Sequence, residues 1–225
     1  MEQRIELPAG EELGERPQRP QGRSGGLRSL VVSLAVLAVI VGGLWYWERR
    51  GEGDVFVDGR FGVVELPAAK NPTGQKPVAE VGRAGPDFSL ETPQGDILRL
   101  SDLQGQPVLL NFWASWCPPC RQEMPELVAA YERYQERGLV IVAVNLQETD
   151  AKVMEFAEDF GLTFPIVIDR GGGVAEVWRL GGPVQGIPTS YFIDDTGIIR
   201  AFYYGPMTED ALEERLARIL PEGTG

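Results

Sequence analysis

An α/β domain on a mixed β-sheet, carried behind one membrane-spanning helix, is the fold class this 225-residue chain predicts. Three observations lead there. Apolar runs of strand length, Pro107–Trp113 and Leu139–Asn145, alternate with helical stretches, the pattern of strands buried on both faces of a sheet. Near the end the alternation gives way to a hairpin signal, Thr189–Ile193 and Ile198–Tyr203 around Asp195-Thr196-Gly197, so the sheet is mixed. Near the start, Leu30–Trp47 carries no charged residue.

The elements follow in chain order. Residues 1–28 are rich in Glu, Arg, Pro and Gly and read as a disordered cytoplasmic tail. Residues 29–47 form the expected transmembrane anchor, since its uncharged stretch would span about 27 Å as a helix, near the thickness of a bilayer core. Arg16, Arg19, Arg23 and Arg28 precede it with no acid among residues 16–28, which favours a cytoplasmic N-terminus. Trp45, Tyr46 and Trp47 suit the outer interface. A cleaved signal peptide is the competing reading, but Gly42-Gly43-Leu44-Trp45 is a poor cleavage site. Residues 48–77, with Pro67, Pro72 and Pro77 and only short apolar runs, read as a tether.

The compact domain is expected over residues 78–221. Asp87–Leu90 and Ile97–Leu100 flank Gln94-Gly95 as a first hairpin. After the Pro107–Trp113 strand comes a helix from Pro118 to Arg137, stopped by Gly138 and kinked at Pro125. The Leu139–Asn145 strand leads to a helix capped by Thr149 or Asp150 and ended by Gly161. Phe164–Ile168 is a third strand, and a short helix lies near Val174–Trp178. After the second hairpin, Thr208–Leu220 reads as a last helix with Thr208 as cap.

Composition excludes several functions. A net charge of -12 repels nucleic-acid phosphates, so no nucleic-acid partner is expected. Histidine is absent, which removes the commonest general base and metal ligand. Gly171-Gly172-Gly173 is not a phosphate loop, because no strand–GxGxxG–helix context or GK(S/T) accompanies it.

The chemistry concentrates in the two cysteines, Cys117 and Cys120, at the junction of a strand and a helix. A zinc site needs four ligands as a rule, and two thiols without imidazole do not supply them, so no metal is expected. A structural disulfide over two intervening residues would restrict the unfolded chain little. The redox reading is preferred: a helix N-terminus stabilises a thiolate. Cys117 would attack a substrate disulfide as the more exposed sulfur, and Cys120 would resolve the mixed disulfide. The redox disulfide then needs no further cofactor. Pro118 and Pro119 each delete an N–H that could face the Cys117 thiolate, which predicts a reducing couple.

The segment Asn111-Phe-Trp-Ala-Ser-Trp-Cys117-Pro-Pro-Cys120-Arg-Gln-Glu123-Met-Pro125 resembles the active-site stretch of membrane-anchored thioredoxin-like proteins of the ResA/TlpA type. The resemblance runs from about Val81 to Pro221 and takes in Gly85-Pro86-Asp87-Phe88, Val142–Asn145, Phe164-Pro165 and Gly186–Thr189. It implies a thioredoxin fold with an added N-terminal β-hairpin and a central helix–strand insertion. It implies a cis peptide at Ile187-Pro188 beside the cysteines, with Trp116, Pro118, Ile187 and Pro188 contacting an extended substrate strand. It also implies a role for Glu123 in tuning or deprotonating Cys120, since Asn111 stands where thioredoxin has a buried acid. The family reading is an extracytoplasmic thiol-disulfide oxidoreductase in the bacterial cytoplasmic membrane. Its implied substrate is a disulfide protein such as apocytochrome c, and a membrane thiol-disulfide donor would supply electrons. A thiol peroxidase, a general disulfide oxidase and a copper-handling module compete with it. Ala114 occupies the position where the peroxidase setting has Thr, and the copper module's CxxxC pair and histidine are both missing.

Overall fold

The computed structural model describes residues 31, 32, 34–43, 61–178, 180, 186–221. The chain divides into two units, residues 1–53 and 54–225, each taken here by itself. In the first, residues 31–32 and 34–43 form helix α1, and Val31, Val32, Leu34, Val36, Leu37, Val39, Ile40 and Val41 are all exposed. Among the described residues no helix is long and apolar enough to cross a membrane. The anchor expected over 29–47 is therefore described only in part. Its flanks, the tail over 1–28 and residues 48–60 of the tether lie outside the described residues.

The second unit is one eight-stranded sheet. Its strands are β1 (Gly62–Val63), β2 (Phe88–Glu91), β3 (Ile97–Arg99), β4 (Val108–Trp113), β5 (Val140–Leu146), β6 (Ile166–Asp169), β7 (Thr189–Ile193) and β8 (Ile199–Tyr204). They lie in the order β1-β2-β6-β5-β4-β7-β8, with β3 paired to β2. β5 runs parallel to β4 and β6, while the remaining pairs are antiparallel, so the sheet is mixed as expected. The helices are α2 (Pro118–Tyr134), α3 (Asp150–Phe160), α4 (Gly173–Val177) and α5 (Glu209–Leu216).

β4 shows how the two layers arise. All six of its residues are buried, and their alternation divides them between two cores. Leu109 and Trp113 point to the face covered by α2, α3 and α5, where Met124, Leu127, Val153, Phe156, Leu212 and Leu216 pack. Val108, Leu110 and Phe112 point to the other, with Trp178, Tyr191 and Val174 of α4. A parallel β4–β5 pair needs a crossover, and α2 supplies it.

Several boundaries differ from the sequence reading. The α-helix α2 ends at Tyr134 and the last turn, Gln135–Arg137, tightens to 3-10 before Gly138, whose φ of 88° ends it. α2 continues through Pro125. β6 begins at Ile166, one residue after Pro165, which has no N–H for a ladder. Thr149 occupies the N-cap position of α3 without a side-chain bond, whereas Thr208 accepts from Ala211 N. α5 stops at Leu216, short of the expected Leu220.

The sequence reads residues 48–77 as a tether and leaves open whether that segment packs on the domain. From residue 61 it lies on the domain. β1 pairs with β2, Arg99 donates to the Glu65 carbonyl at 2.7 Å, and Lys70 donates to the Ser101 carbonyl at 2.6 Å. The buried Asp87 carboxylate anchors this corner by accepting from Phe88 N, Ser101 N and Arg99 Nε. The segment is held by backbone carbonyls and two ladder residues, which leave no hydrophobic period to read.

Gly85 sits against the Trp178 indole, and a Cβ there would come within 2.6 Å of Cη2. Trp178 is fully buried between Phe112 and Tyr191 and has no room to move aside. Gly85→Ala should therefore cost about 1–3 kcal/mol of stability, read as a lower urea midpoint at unchanged slope.

Candidate active site

The site is built where β4 hands the chain to α2. Cys117 is the N-cap of α2 and is bonded to Cys120 in a disulfide, with the two Cα atoms 5.3 Å apart. Pro118 and Pro119 occupy the first two helical positions, so Cys120 is the first residue of the helix with an N–H. That N–H points at Cys117 Sγ over 3.2 Å. Cys117 keeps 3% of its surface and Cys120 none. The order of exposure is the expected one, but Cys117 is far more enclosed than an exposed nucleophile. Both sulfurs belong to the apolar core on the α2 face.

Around the pair the structure brings together the other predicted residues. Ile187-Pro188 is a cis peptide, and the Ile187 carbonyl oxygen lies 3.7 Å from Cys117 Sγ. Pro188 is buried and its carbonyl accepts from Gly205 N at 2.9 Å. Trp116 is the most exposed aromatic of the described domain at 64%, and Pro118 is exposed beside it. An exposed aromatic surface and the Ile187 carbonyl thus flank a nearly buried sulfur.

Glu123 stands three residues after Cys120, on the same face of α2. It is 1% exposed. One carboxylate oxygen accepts from Asn111 Nδ2 at 2.7 Å, the other from Met207 N at 3.1 Å. Asn111 also donates to Ser190 Oγ at 2.9 Å. The carboxyl group therefore ties α2 to β4, to β7 and to the loop after β8. Burial pushes its pKa up from an ordinary 4.5 to about 7, against the opposing pull of the Asn111 and Met207 hydrogen bonds. A buried group that changes charge near neutrality on the helix face of Cys120 can take up or return a proton there.

A second acid enters the site that the sequence reading passed over. Glu148, 8% exposed, accepts from Ser115 N at 2.6 Å, Ser115 Oγ at 2.5 Å and Asn145 Nδ2 at 2.8 Å. Burial alone would raise its pKa, but the Ser115 and Asn145 hydrogen bonds and the Lys152 charge outweigh it and hold the carboxyl below its ordinary range. The sequence carries no direct signal for it; in the structure its partner Asn145 lies level with Trp113 in the register of β5 and β4. Met207 was also missed, because only its backbone N–H takes part. Among the described residues no cluster of acids and cysteines is arranged to hold a metal ion.

Comparison with known proteins agrees with this geometry. The AhpC/TSA family model matches residues 81–202, just over half of the chain. The thiol-disulfide oxidoreductase ResA of Geobacillus kaustophilus is 42% identical over 147 residues, 65% of this chain and 82% of that protein. The thioredoxin-like protein YneN of Bacillus subtilis is 41% identical over 138 residues, 60% of this chain and 78% of that one. Among solved structures, a putative thiol:disulfide interchange protein DsbE from Chlorobium tepidum superposes with a TM-score of 0.57 at 34% identity. It covers 63% of this chain and 99% of its own. A secreted Mycobacterium tuberculosis disulfide oxidoreductase reaches 0.51 at 26% identity, covering 58% and 94%. These neighbours have the thioredoxin-like architecture expected from the sequence.

The raised pKa of Glu123 has a thermodynamic consequence. The unfolded chain loses this proton near pH 4.5, the folded protein only near 7. Between those values the folded state binds more protons, so stability falls as pH rises, and it levels off above about 7. The shift corresponds to roughly 3 kcal/mol. Urea unfolding of the oxidised protein from pH 4 to 8 should show this decline, and Glu123→Gln should remove the Glu123 share of it, leaving that of Asp169, whose carboxyl pKa burial also raises.

Proposed function

Given that the chain belongs to the AhpC/TSA family and is a thiol-disulfide oxidoreductase of the ResA type, we propose that it reduces disulfides of proteins outside the bacterial cytoplasmic membrane. The observation that carries this is the Cys117–Cys120 disulfide at the proline-led start of α2, beside the Ile187 carbonyl.

The proposed cycle starts from the dithiol. The Cys117 thiolate attacks a sulfur of the substrate disulfide, forming a mixed disulfide and releasing one substrate thiolate, which takes a proton. The Cys120 thiol passes its proton to the Glu123 carboxylate and attacks Cys117 Sγ. The Cys117–Cys120 bond forms, the bond to substrate breaks, and the second substrate thiol leaves with a proton. Two electrons have then moved to the substrate, and a membrane thiol-disulfide donor restores the dithiol. Trp116, Pro118, Ile187 and Pro188 hold the substrate strand, with the backbone groups of the Ile187-Pro188 loop pairing to it.

Supporting the direction of flow, the Cys117 sulfur receives one N–H where a proline-free turn would offer more. A poorly stabilised thiolate makes the couple reducing. Supporting the location, the exposed apolar face of α1 lies within the uncharged stretch Leu30–Trp47, which suits a single anchor with the domain on the extracytoplasmic side. Proteins such as apocytochrome c, whose haem-attachment cysteines must be reduced, fit as substrates.

The reading predicts that Cys120→Ser traps a covalent complex through Cys117 that a thiol reagent dissolves, whereas Cys117→Ser traps none. The Cys117–Cys120 couple should equilibrate with other dithiols as a reductant, and a strongly oxidising value would reverse the assignment. Pro118→Gly should raise the potential, on the order of 30 mV for one added hydrogen bond to a charged sulfur. Rapid peroxide consumption by the dithiol would instead favour a thiol peroxidase.

A further inference from the structure

Gln147 is the only non-glycine residue with positive φ among the described residues, at 60°. Such a conformation is costly for a side-chain-bearing residue and persists only where its surroundings impose it. The surroundings here are specific. Asn145 and Glu148 close a small loop around it, with Glu148 N donating to Asn145 Oδ1 at 3.2 Å and Asn145 Nδ2 donating back to Glu148 Oε2 at 2.8 Å. The Gln147 amide lies over Gly172, where a Cβ would come within 2.7 Å of Nε2. The left-handed residue reverses the chain after β5, and the reversal turns Glu148 inward.

We propose that Glu148 is a positioning residue for the dithiol: its carboxylate clamps Ser115 and so fixes the loop that presents Trp116 and Cys117 to a protein substrate. The clamp reaches both polar groups that Ser115 can donate, its N–H and its hydroxyl. The third, its carbonyl, accepts from Arg121 Nη1 at 3.4 Å. Arg121 is itself held with its guanidinium 5.2 Å and 4.9 Å from the ring centres of Phe156 and Phe160. The next residue is Trp116 and the one after it Cys117. Ser115 and Trp116 lie between β4 and α2 in neither element, in a turn closed on the backbone by Cys117 N donating to the Ala114 carbonyl at 3.2 Å, and the Glu148 clamp adds the side-chain hold. Three donors converge on one buried carboxylate, and its ionised form is the one that accepts from all of them. Its depressed pKa keeps it in that form near neutrality.

The inference rests on reading Cys117–Cys120 as the working dithiol, and the test separates the two. The full chain, Glu148→Gln and Glu148→Ala are compared in the reduction of insulin and of bis(hydroxyethyl) disulfide, with hydrogen exchange at the Ser115 amide measured alongside. A docking surface matters to a protein and little to a small disulfide. Glu148→Ala should lower kcat/KM for insulin about tenfold and the small-disulfide rate by a clearly smaller factor. Glu148→Gln should recover most of the loss, because its amide keeps an acceptor for Ser115 N and offers a donor to Ser115 Oγ. Ser115 exchange should speed up at least tenfold in Glu148→Ala alone. The proposal is overturned if insulin reduction by Glu148→Ala stays within twofold of the unmodified chain, or if both rates fall by one factor. It is also overturned if Ser115 exchange is unchanged. If the unmodified chain reduces neither disulfide, the dithiol reading fails, and Ser115 exchange still decides the clamp.

Discussion

One buried carboxylate sets the terms for the domain. Glu123 has almost no contact with water, and an ionised carboxyl placed there must find donors or give up its charge. It finds two, from Asn111 and Met207, and still titrates near neutrality. The requirement fixes much else. β4 must carry an amide at its centre in place of an apolar side chain. β7 must bring Ser190 Oγ to the same amide. The chain leaving β8 must turn so that Met207 presents its N–H to the helix. Since Pro188 accepts from Gly205 in the same loop, the carboxylate and the cis-proline segment share one support.

The fold around this point is an ordinary consequence of alternation in strands buried on both sides. Such strands were legible because an unbroken apolar run of strand length, followed by a helix start, has few other meanings. The α2 boundaries were legible for a stereochemical reason: prolines at its start and a glycine at its stop. β1 was not legible, because two residues held mainly through backbone carbonyls leave no side-chain period. α5 ends early because its last turn tightens into i→i+3 bonding, with Arg218 N donating to the Arg215 carbonyl and Ile219 N to that of Leu216.

The site was legible in an uneven way. Cys117 and Cys120 stand out as the only thiols, and Glu123 emerged through resemblance rather than spacing. Their burial did not emerge, because a motif says which atoms meet and not how much water they keep. Glu148 was hidden by its neighbours. Gln147-Glu148-Thr149-Asp150 has the composition of a solvated loop, and its inward turn depends on a left-handed glutamine that the sequence does not announce. Backbone strain of this kind is readable only from dihedral angles, and it marks where the local preference of the chain gives way to the needs of the site.

The enclosure of the sulfurs reaches beyond access. Two thiolates and a carboxylate could not all be charged inside a core that leaves them 3%, 0% and 1% of their surface. Electrons entering this disulfide must therefore bring protons with them. In the proposed cycle the centre would carry hydrogen equivalents rather than bare charge, and its driving force would follow the surrounding acidity. In a chain without a single histidine, dryness alone brings a glutamate to change charge near neutrality.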